Sequence, residues 1–379
     1  MYAVGLMSGT SLDGIDAALV TLKGVSENTK VKLIYFITLP IPKDTIGRVK
    51  QILPPQKGTT ELICSLNFEL AYLFSKAVKK VCQKVKLDLD KLDFIASHGL
   101  TAYHISEVSL NSKLYLSTLQ IVDPAVIVEQ CRTNVISNFR TRDIAVGGQG
   151  APIVPYSEYI MYQNKAKQRI LLNIGGISNF TVMPMDGDFN KIVAFDTGPG
   201  NMIINELVQR YFNLPYDRNG ELAKAGKINQ SLLHEFMSHP YINKDYPKTT
   251  GREMFGKNYL DCILLDFKDS PAKDLIATAT MFTAKSVARA VIKFLNNRPT
   301  ELVVGGGGSY NLTLLEMLKK CLPQIKLLRQ EDLGYTSDAK EAIAMAVLGN
   351  QTIHHKGGNV PSATGASRFV PLGSITYYK

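Results

Sequence analysis

The sequence predicts a two-domain α/β protein, and three observations carry that expectation. The chain has 379 residues, enough for two cores of ordinary size. It opens with a strand, a tight glycine turn, a strand, a polar turn and a third strand, and the same plan restarts near residue 169. Glycine-rich turns then recur at 147–150, 198–200 and 305–308, beside apolar segments.

Taken in order, Tyr2–Met7 is a short apolar run that enters the turn Ser8-Gly9-Thr10-Ser11-Leu12-Asp13-Gly14. Residues 15–22 resume an extended pattern, and 31–39 are rich in β-branched and aromatic types, with a polar connection over 24–30. Leu66, Leu70, Leu73, Ala77 and Val81 recur at helical spacing and predict a helix over 60–84. A short strand ends in Ser97-His98-Gly99, and a second buried strand over 134–139 ends in Arg140. A turn cluster over 147–152 precedes a connecting helix, and the polar stretch 165–168 marks a domain boundary. The second half repeats the plan with a strand over 169–174, the loop Gly175-Gly176-Ile177-Ser178-Asn179, and strands over 180–185 and 192–195. A long helix is expected over 274–296, and a strand over 301–304 breaks into Gly305-Gly306-Gly307-Gly308-Ser309. The last helix, 338–353, returns the chain to the first domain. The expected domains are therefore 1–165 plus 354–379, carrying the first glycine loop, and 166–353, carrying the second.

Composition narrows the function classes. With 45% hydrophobic and 20% charged residues the chain reads as a soluble globular protein. The amino terminus lacks a basic segment followed by an apolar core, and no apolar run approaches the roughly 20 residues a bilayer span needs. Five scattered cysteines without a C-x-x-C pair disfavour both a disulfide framework and a zinc site, so a cytoplasmic location with reduced thiols is expected. The formal charge of +10 invites a nucleic-acid reading. Its densest part, Lys76 to Lys91, falls on the polar face of the 60–84 helix and just beyond it, so neither nucleic acid nor membrane is expected as a partner.

A glycine turn between strands lets backbone N–H groups approach a phosphate. In the first such turn Ser8, Thr10 and Ser11 add hydroxyls, and Asp13 and Asp16 are placed to orient Mg²⁺-bound water. An ordinary hairpin loop is the competing reading, and no Walker P-loop is present. Gly175 and Gly176 gain meaning as a second phosphate-facing loop, and the glycine run from 305 suggests a flat nucleoside against bare backbone. Asp196, at a strand end before a turn fixed by Gly198, Pro199 and Gly200, is the candidate catalytic base; capping the following helix is its alternative. Arg140 suits a carboxylate ligand such as a lactyl group, against an ion pair with Asp143. His98 is read either as a donor to a substrate hydroxyl or as a satisfied core histidine. Asp338 and Glu341 have capping-box spacing, which makes Glu341 structural on the residues alone.

Together these segments resemble the anhydro-N-acetylmuramic acid kinase family. The matching stretches are 5–16, Ser97-His98-Gly99, 147–155 (GGQGAPIVP), 173–179 (NIGGISN), 196–201 (DTGPGN), 247–253 (PKTTGRE), 304–311, 337–342 and 358–366. The resemblance implies a two-domain actin/hexokinase-like (ribonuclease H-like) fold with an interdomain active-site cleft. It also implies ATP-dependent opening of 1,6-anhydro-N-acetylmuramic acid to the 6-phosphate, a step of cell-wall recycling. Asp196 would be the base. Gly9, Thr10, Ser11, Leu12, Asp13, Gly14, Ile15, Asp16, Gly175, Gly176, Gly305, Gly306 and Gly307 would hold ATP, with Mg²⁺ bridging its phosphates. His98, Arg140, Gln149, Asn179 and Glu341 would face the sugar, and a homodimer is usual for the family.

Two positions depart from the family pattern. Leu100 replaces a glutamine after His98-Gly99, and Asn138 replaces an aspartate before Phe139-Arg140. They leave two alternatives open: a kinase for another sugar, or a non-catalytic sugar or nucleotide sensor on the same fold.

Overall fold

Tyr2–Met7 forms β1, the strand on which the first sheet is built. Val4 and Leu6 are fully buried, and Gly5 lies so close to the carbonyl of Ala342 that no side chain fits there. The computed structural model describes the chain apart from residues 10–11, 54–57, 106–112, 165, 186–187, 189–190, 247, 249 and 296–298, and apart from the side chains of Arg252 and Glu253. β2 (Ile15–Lys23) runs antiparallel to β1, and β3 (Lys30–Leu39) antiparallel to β2. The helix Thr60–Lys84 carries the chain across to β4 (Phe94–Ser97), which is parallel to β1, as a crossover helix permits.

That helix begins where Thr59 accepts the Leu62 N–H at 3.2 Å. Leu66, Leu70, Phe74, Ala77, Val78 and Val81 are all buried, each large one contributing about 1.5–3 kcal/mol of burial. Lys76, Lys79, Lys80 and Lys84 are exposed, as the solvated-face reading requires. β5 (Leu100–Ile105) and β6 (Ser117–Ile121) make a separate antiparallel pair, which the sequence reading did not anticipate. β7 (Val135–Ser137) joins β4 in parallel, and strand Ser374–Thr376 closes the sheet beside it.

In the second unit β8 (Gln168–Ile174), β9 (Ile177–Met183) and β10 (Val193–Pro199) form an antiparallel meander. β11 (Thr300–Gly305) lies parallel to β8, and β12 (Lys326–Arg329) parallel to β11. The order β10-β9-β8-β11-β12 is the same as β3-β2-β1-β4-β7. The echo in the sequence is thus a duplicated topology, that of the actin/hexokinase-like fold. The core of the second sheet is built from Ile170, Leu172, Phe180, Val287, Leu302 and Val304. A further cluster gathers Leu207, Phe236, Phe255, Ile276 and Phe282.

The units comprise 1–163 with 334–379, and 164–333. The helix Lys340–Ile353, expected in the second domain, therefore lies in the first. Its small residues explain this: Ala342 meets Gly5, and Gly349 leaves no room for a side chain against Phe94 and Ala96. Ser157 also donates to the Ala344 carbonyl at 3.1 Å. The expectation that no stretch reaches bilayer length needs correction too. The helix Ala272–Ile292 is long and apolar enough to cross a membrane, and it is largely buried within its own unit.

Candidate active site

Between β1 and β2 the first glycine turn is held by its own polar groups. Ser8 Oγ, buried, donates to the Gly14 carbonyl at 2.8 Å, and the Leu12 N–H donates to the Gly9 carbonyl at 3.1 Å. Leu12 has φ +60 and is 4% exposed, so an apolar side chain anchors the turn in the core. Ile15 is fully buried as well. These two can offer a phosphate only backbone groups, whereas Asp13 is exposed. Thr10 and Ser11 lie outside the described residues.

Asp16 stands at the start of β2 and accepts Thr38 Oγ1–H at 2.6 Å. Burial raises its carboxyl above the usual 3.8 against that bond, and the charges of Asp338, Glu341 and Asp13 raise it further. Three other carboxylates of the first unit therefore bear on Asp16. Glu341 is exposed in the first turn of its helix. The capping box is not formed: Ala339 is the N-cap, without a side-chain bond, and Thr336 Oγ1 accepts the Ala339 N–H. Glu341 is thus free of the structural duty its spacing suggested.

Arg140 makes no ion pair with Asp143. Its Nε donates to His98 Nε2 at 2.9 Å and its Nη1 to the Gly150 carbonyl at 2.8 Å. Asp143, 1% exposed, accepts instead from the Gly150 N–H, Asn359 Nδ2 and Thr364 Oγ1, each at 2.9 Å. That single carboxylate ties the 147–150 turn to the 358–366 tail, two motifs far apart in the chain. Gln149 is exposed on this turn, its N–H donating to the Thr364 carbonyl at 2.9 Å. Both ring nitrogens of His98 are engaged within the protein, so the histidine is satisfied rather than free to meet a hydroxyl. Leu100 is a core residue at 1% exposure, which fits an apolar replacement there. Asn138 has φ +60, a conformation that asparagine tolerates well.

In the second unit the strand β9 begins sooner than expected, so the loop shrinks to Gly175 and Gly176. Their carbonyls accept the N–H groups of Asn201 (2.8 Å), Gly200 (2.9 Å) and Met202 (3.1 Å). A side chain on Gly200 would strike the Gly175 carbonyl, so the glycine pair and the DTGPGN turn form one stitched element. Asp196 pairs across the sheet with Asn179, and the register shifts between Asp196 and Gly198. A bulge at this place re-aims a side chain. Thr197 Oγ1 is bonded to Ser178, and Gly198 adopts φ +145.

The Asp196 carboxylate does not cap the helix Met202–Phe212; Asn201 is the N-cap there, with no side-chain bond. It accepts the Thr250 N–H at 2.9 Å, while its backbone is gripped by the Lys248 carbonyl and by Tyr241 Oη. Burial raises the Asp196 carboxyl and the Thr250 N–H partly offsets that. Lys248, 6% exposed, donates to the Tyr241 carbonyl at 3.0 Å with its Nζ 4.6 Å from the Tyr241 ring centroid. Tyr241 has no motif signal, and Lys248 and Thr250 sit in the 247–253 motif without a role readable from sequence.

The glycine run after β11 divides by cause. Gly305 is pressed on the Gln330 side chain, Gly306 (φ +76) on Asn173 and Ile174, and Gly308 on Ile174. Only Gly307 opens outward, its nearest neighbour being Asn201 Nδ2 at 3.9 Å. Three of the four glycines are thus required by internal packing, which corrects the idea that a ligand accounts for the run. Gly307 lines a cavity of about 390 Å³ with Asn201, Tyr216, Arg218, Tyr310 and Asn311. Its size and its mixture of exposed tyrosines with amides suit a small aromatic ligand.

The sequence model of the anhydro-N-acetylmuramic acid kinase family matches residues 1–378. A protein of that name from Clostridioides difficile (strain 630) is 52% identical over 378 residues, covering 99% of this chain and 98% of the relative. Another, from Bacillus thuringiensis subsp. konkukian (strain 97-27), is 50% identical over 381 residues, covering 100% and 99%. Among solved structures, the activator of the 2-hydroxyisocaproyl-CoA dehydratase from Clostridium difficile with bound ADPNP aligns over 93% of this chain and 95% of its own, at 10% identity and TM-score 0.44. A ROK family glucokinase from Streptomyces griseus in complex with glucose and AMPPNP aligns over 92% and 99%, at 12% identity and TM-score 0.38.

Proposed function

From the premise that the chain belongs to the anhydro-N-acetylmuramic acid kinase family, we propose that it opens 1,6-anhydro-N-acetylmuramic acid and transfers the γ-phosphoryl group of ATP to it. The observation that carries the chemistry is Asp196. Its half-buried carboxylate sits at a strand bulge, accepts one hydrogen bond from the Thr250 N–H while two more fix the Asp196 backbone, and is engaged in no ion pair among the described residues.

Asp196 takes a proton from water, whose oxygen attacks the anomeric carbon C1. The C1–O6 bond breaks, O6 takes the γ-phosphoryl group, and ADP leaves. The products are N-acetylmuramic acid 6-phosphate and ADP, and the proton on Asp196 passes to solvent. Burial helps here because a carboxylate with a raised pKa is a stronger base once ionised.

In this reading the nucleoside takes the cavity that Gly307 lines with Tyr216 and Tyr310, and the backbone groups of the two glycine turns, at Gly9 and at Gly175 and Gly176, serve the phosphates. Magnesium bound with the nucleotide would supply charge neutralisation in a loose transition state. The described residues contain no cluster of three metal-ligating side chains. Asp13 and Asp16 fit the task of holding waters on an ion that keeps much of its hydration, since burial and then neighbouring like charges disfavour the Asp16 carboxylate until a cation is near. Arg140 meets the lactyl carboxylate, and Gln149, Asn179 and Glu341 serve the sugar. The family resemblance also motivates assigning the chain to the cytoplasm as a homodimer.

A coupled ADP-release assay over anhydro and free sugars, run in H₂¹⁸O, tests this reading. The label should enter at C1 and not in the phosphate. Label in the phosphate, or turnover only on a sugar without the anhydro bridge, would contradict it.

A further inference from the structure

Arg140 cannot aim itself. A free arginine side chain gives up rotamer entropy when fixed, so a site that reads a carboxylate needs something to hold the guanidinium beforehand. The holder is His98, at the end of β4, the strand paired with β7 from which Arg140 follows. His98 is 3% exposed, and its Nδ1 lies 3.1 Å from the Gly99 carbonyl. A carbonyl only accepts, so Nδ1 carries the proton and Nε2 presents a lone pair. Arg140 Nε donates to that lone pair at 2.9 Å. Burial, and then the Arg140 charge, push the imidazole down to about 3 against the Gly99 bond, so the ring stays a neutral acceptor. Gly99 has φ +73, and a side chain there would strike the Ile121 carbonyl, so the turn that presents its carbonyl is fixed. With Nη1 on the Gly150 carbonyl, the guanidinium plane is set from two sides. Its remaining N–H groups have no partner among the described residues.

We propose that His98 is a positioning residue: as the Nδ1–H tautomer it accepts the Arg140 Nε–H and sets the guanidinium plane that reads the carboxylate of the sugar. This deepens the reading of Arg140 given above and rests on it.

The test compares 1,6-anhydro-N-acetylmuramic acid with its carboxylate-free counterpart, 1,6-anhydro-N-acetylglucosamine. Wild type should prefer the first sugar, and Arg140→Met should lose that preference. A preference that survives Arg140→Met would refute the Arg140 reading and the proposal with it. His98→Leu should raise KM for the carboxylate sugar about tenfold or more, with less than about threefold change in kcat/KM for the other sugar and in KM for ATP. His98→Gln, whose Oε1 can accept near the place of Nε2, should recover most of the loss. Equal losses on both sugars, or glutamine no better than leucine, would overturn the proposal. The wild-type ring can also be read directly by long-range ¹H–¹⁵N correlation. Nδ1 should be protonated and Nε2 bare from about pH 5 to 9; an Nε2–H tautomer or an imidazolium would overturn it too.

Discussion

Asp196 Oδ2 accepts the backbone N–H of Thr250 at 2.9 Å, across 54 residues of chain. A hydrogen bond to a charged group is worth about 1.5–3 kcal/mol, and here it opposes the burial that would otherwise neutralise the carboxylate. The side chain is held in place without being paired to a cation, so it remains available to a water.

The pH profile should show this balance. Asp196 must be ionised to act, and its pKa is raised, so the acid limb of kcat/KM should fall at a pH above the ordinary 3.8 of an aspartate. Initial rates under subsaturating sugar over a pH series would measure the limb. A limb at or below that value would mean that burial does not govern Asp196.

Asp16 should show a trade between stability and function. Its folded pKa is raised, so below about pH 3.8 it is protonated in both states and carries no penalty. As pH rises through the folded pKa, the native state is penalised for holding the charge where it is partly buried and, further, beside Asp338, Glu341 and Asp13. Asp16→Asn should therefore raise Tm by a few degrees near pH 7.5, lose that gain in acid, and lower turnover. A lower Tm at neutral pH would contradict the electrostatic account.

Lys340 and Glu158 form a pair at 3.0 Å with side chains 13% and 10% exposed, joining the helix Lys340–Ile353 to the helix Pro155–Tyr162. Burial disfavours the Lys340 ammonium, but the carboxylate of Glu158 outweighs it and raises its pKa. Lys340→Met alone should cost about 3–5 kcal/mol by leaving a buried carboxylate unpaired, and Lys340→Met with Glu158→Leu should cost much less. Denaturant unfolding of the three proteins would check the ordering.

Gly307 and Gly308 should separate binding from folding. Gly307→Ala meets nothing closer than 3.9 Å, so stability should change by less than about 0.5 kcal/mol while nucleotide affinity falls. Gly308→Ala drives a methyl into Ile174 and should cost about 1–3 kcal/mol. Thermal unfolding with and without nucleotide would distinguish them.

Much of this was legible in the sequence where local physics decides. Thr59 and the apolar spacing set the helix Thr60–Lys84, and the two glycine loops lie between antiparallel strands as their turn chemistry required. What was not legible depends on contacts between distant segments. The helix Lys340–Ile353 lies in the first unit because Ala342 and Gly349 fit Gly5 and Phe94, a small-residue stripe that looks like ordinary helix composition in one dimension. The Asp338–Glu341 spacing mimicked a cap, whereas the N-cap is Ala339 and the helix starts at Lys340. The Arg140–Asp143 proximity suggested a pair that Gly150, Asn359 and Thr364 pre-empt. Tyr241 and Lys248 could not be read because their role is to hold a residue some 45 to 52 positions away.

The central claim is that the Asp196 carboxylate supplies the base. The most direct measurement is ADP release by Asp196→Asn with 1,6-anhydro-N-acetylmuramic acid, beside nucleotide affinity by calorimetry. Turnover should fall by about 10³-fold or more with nucleotide affinity within about threefold of wild type. Turnover near the wild-type rate would show that another group removes the proton.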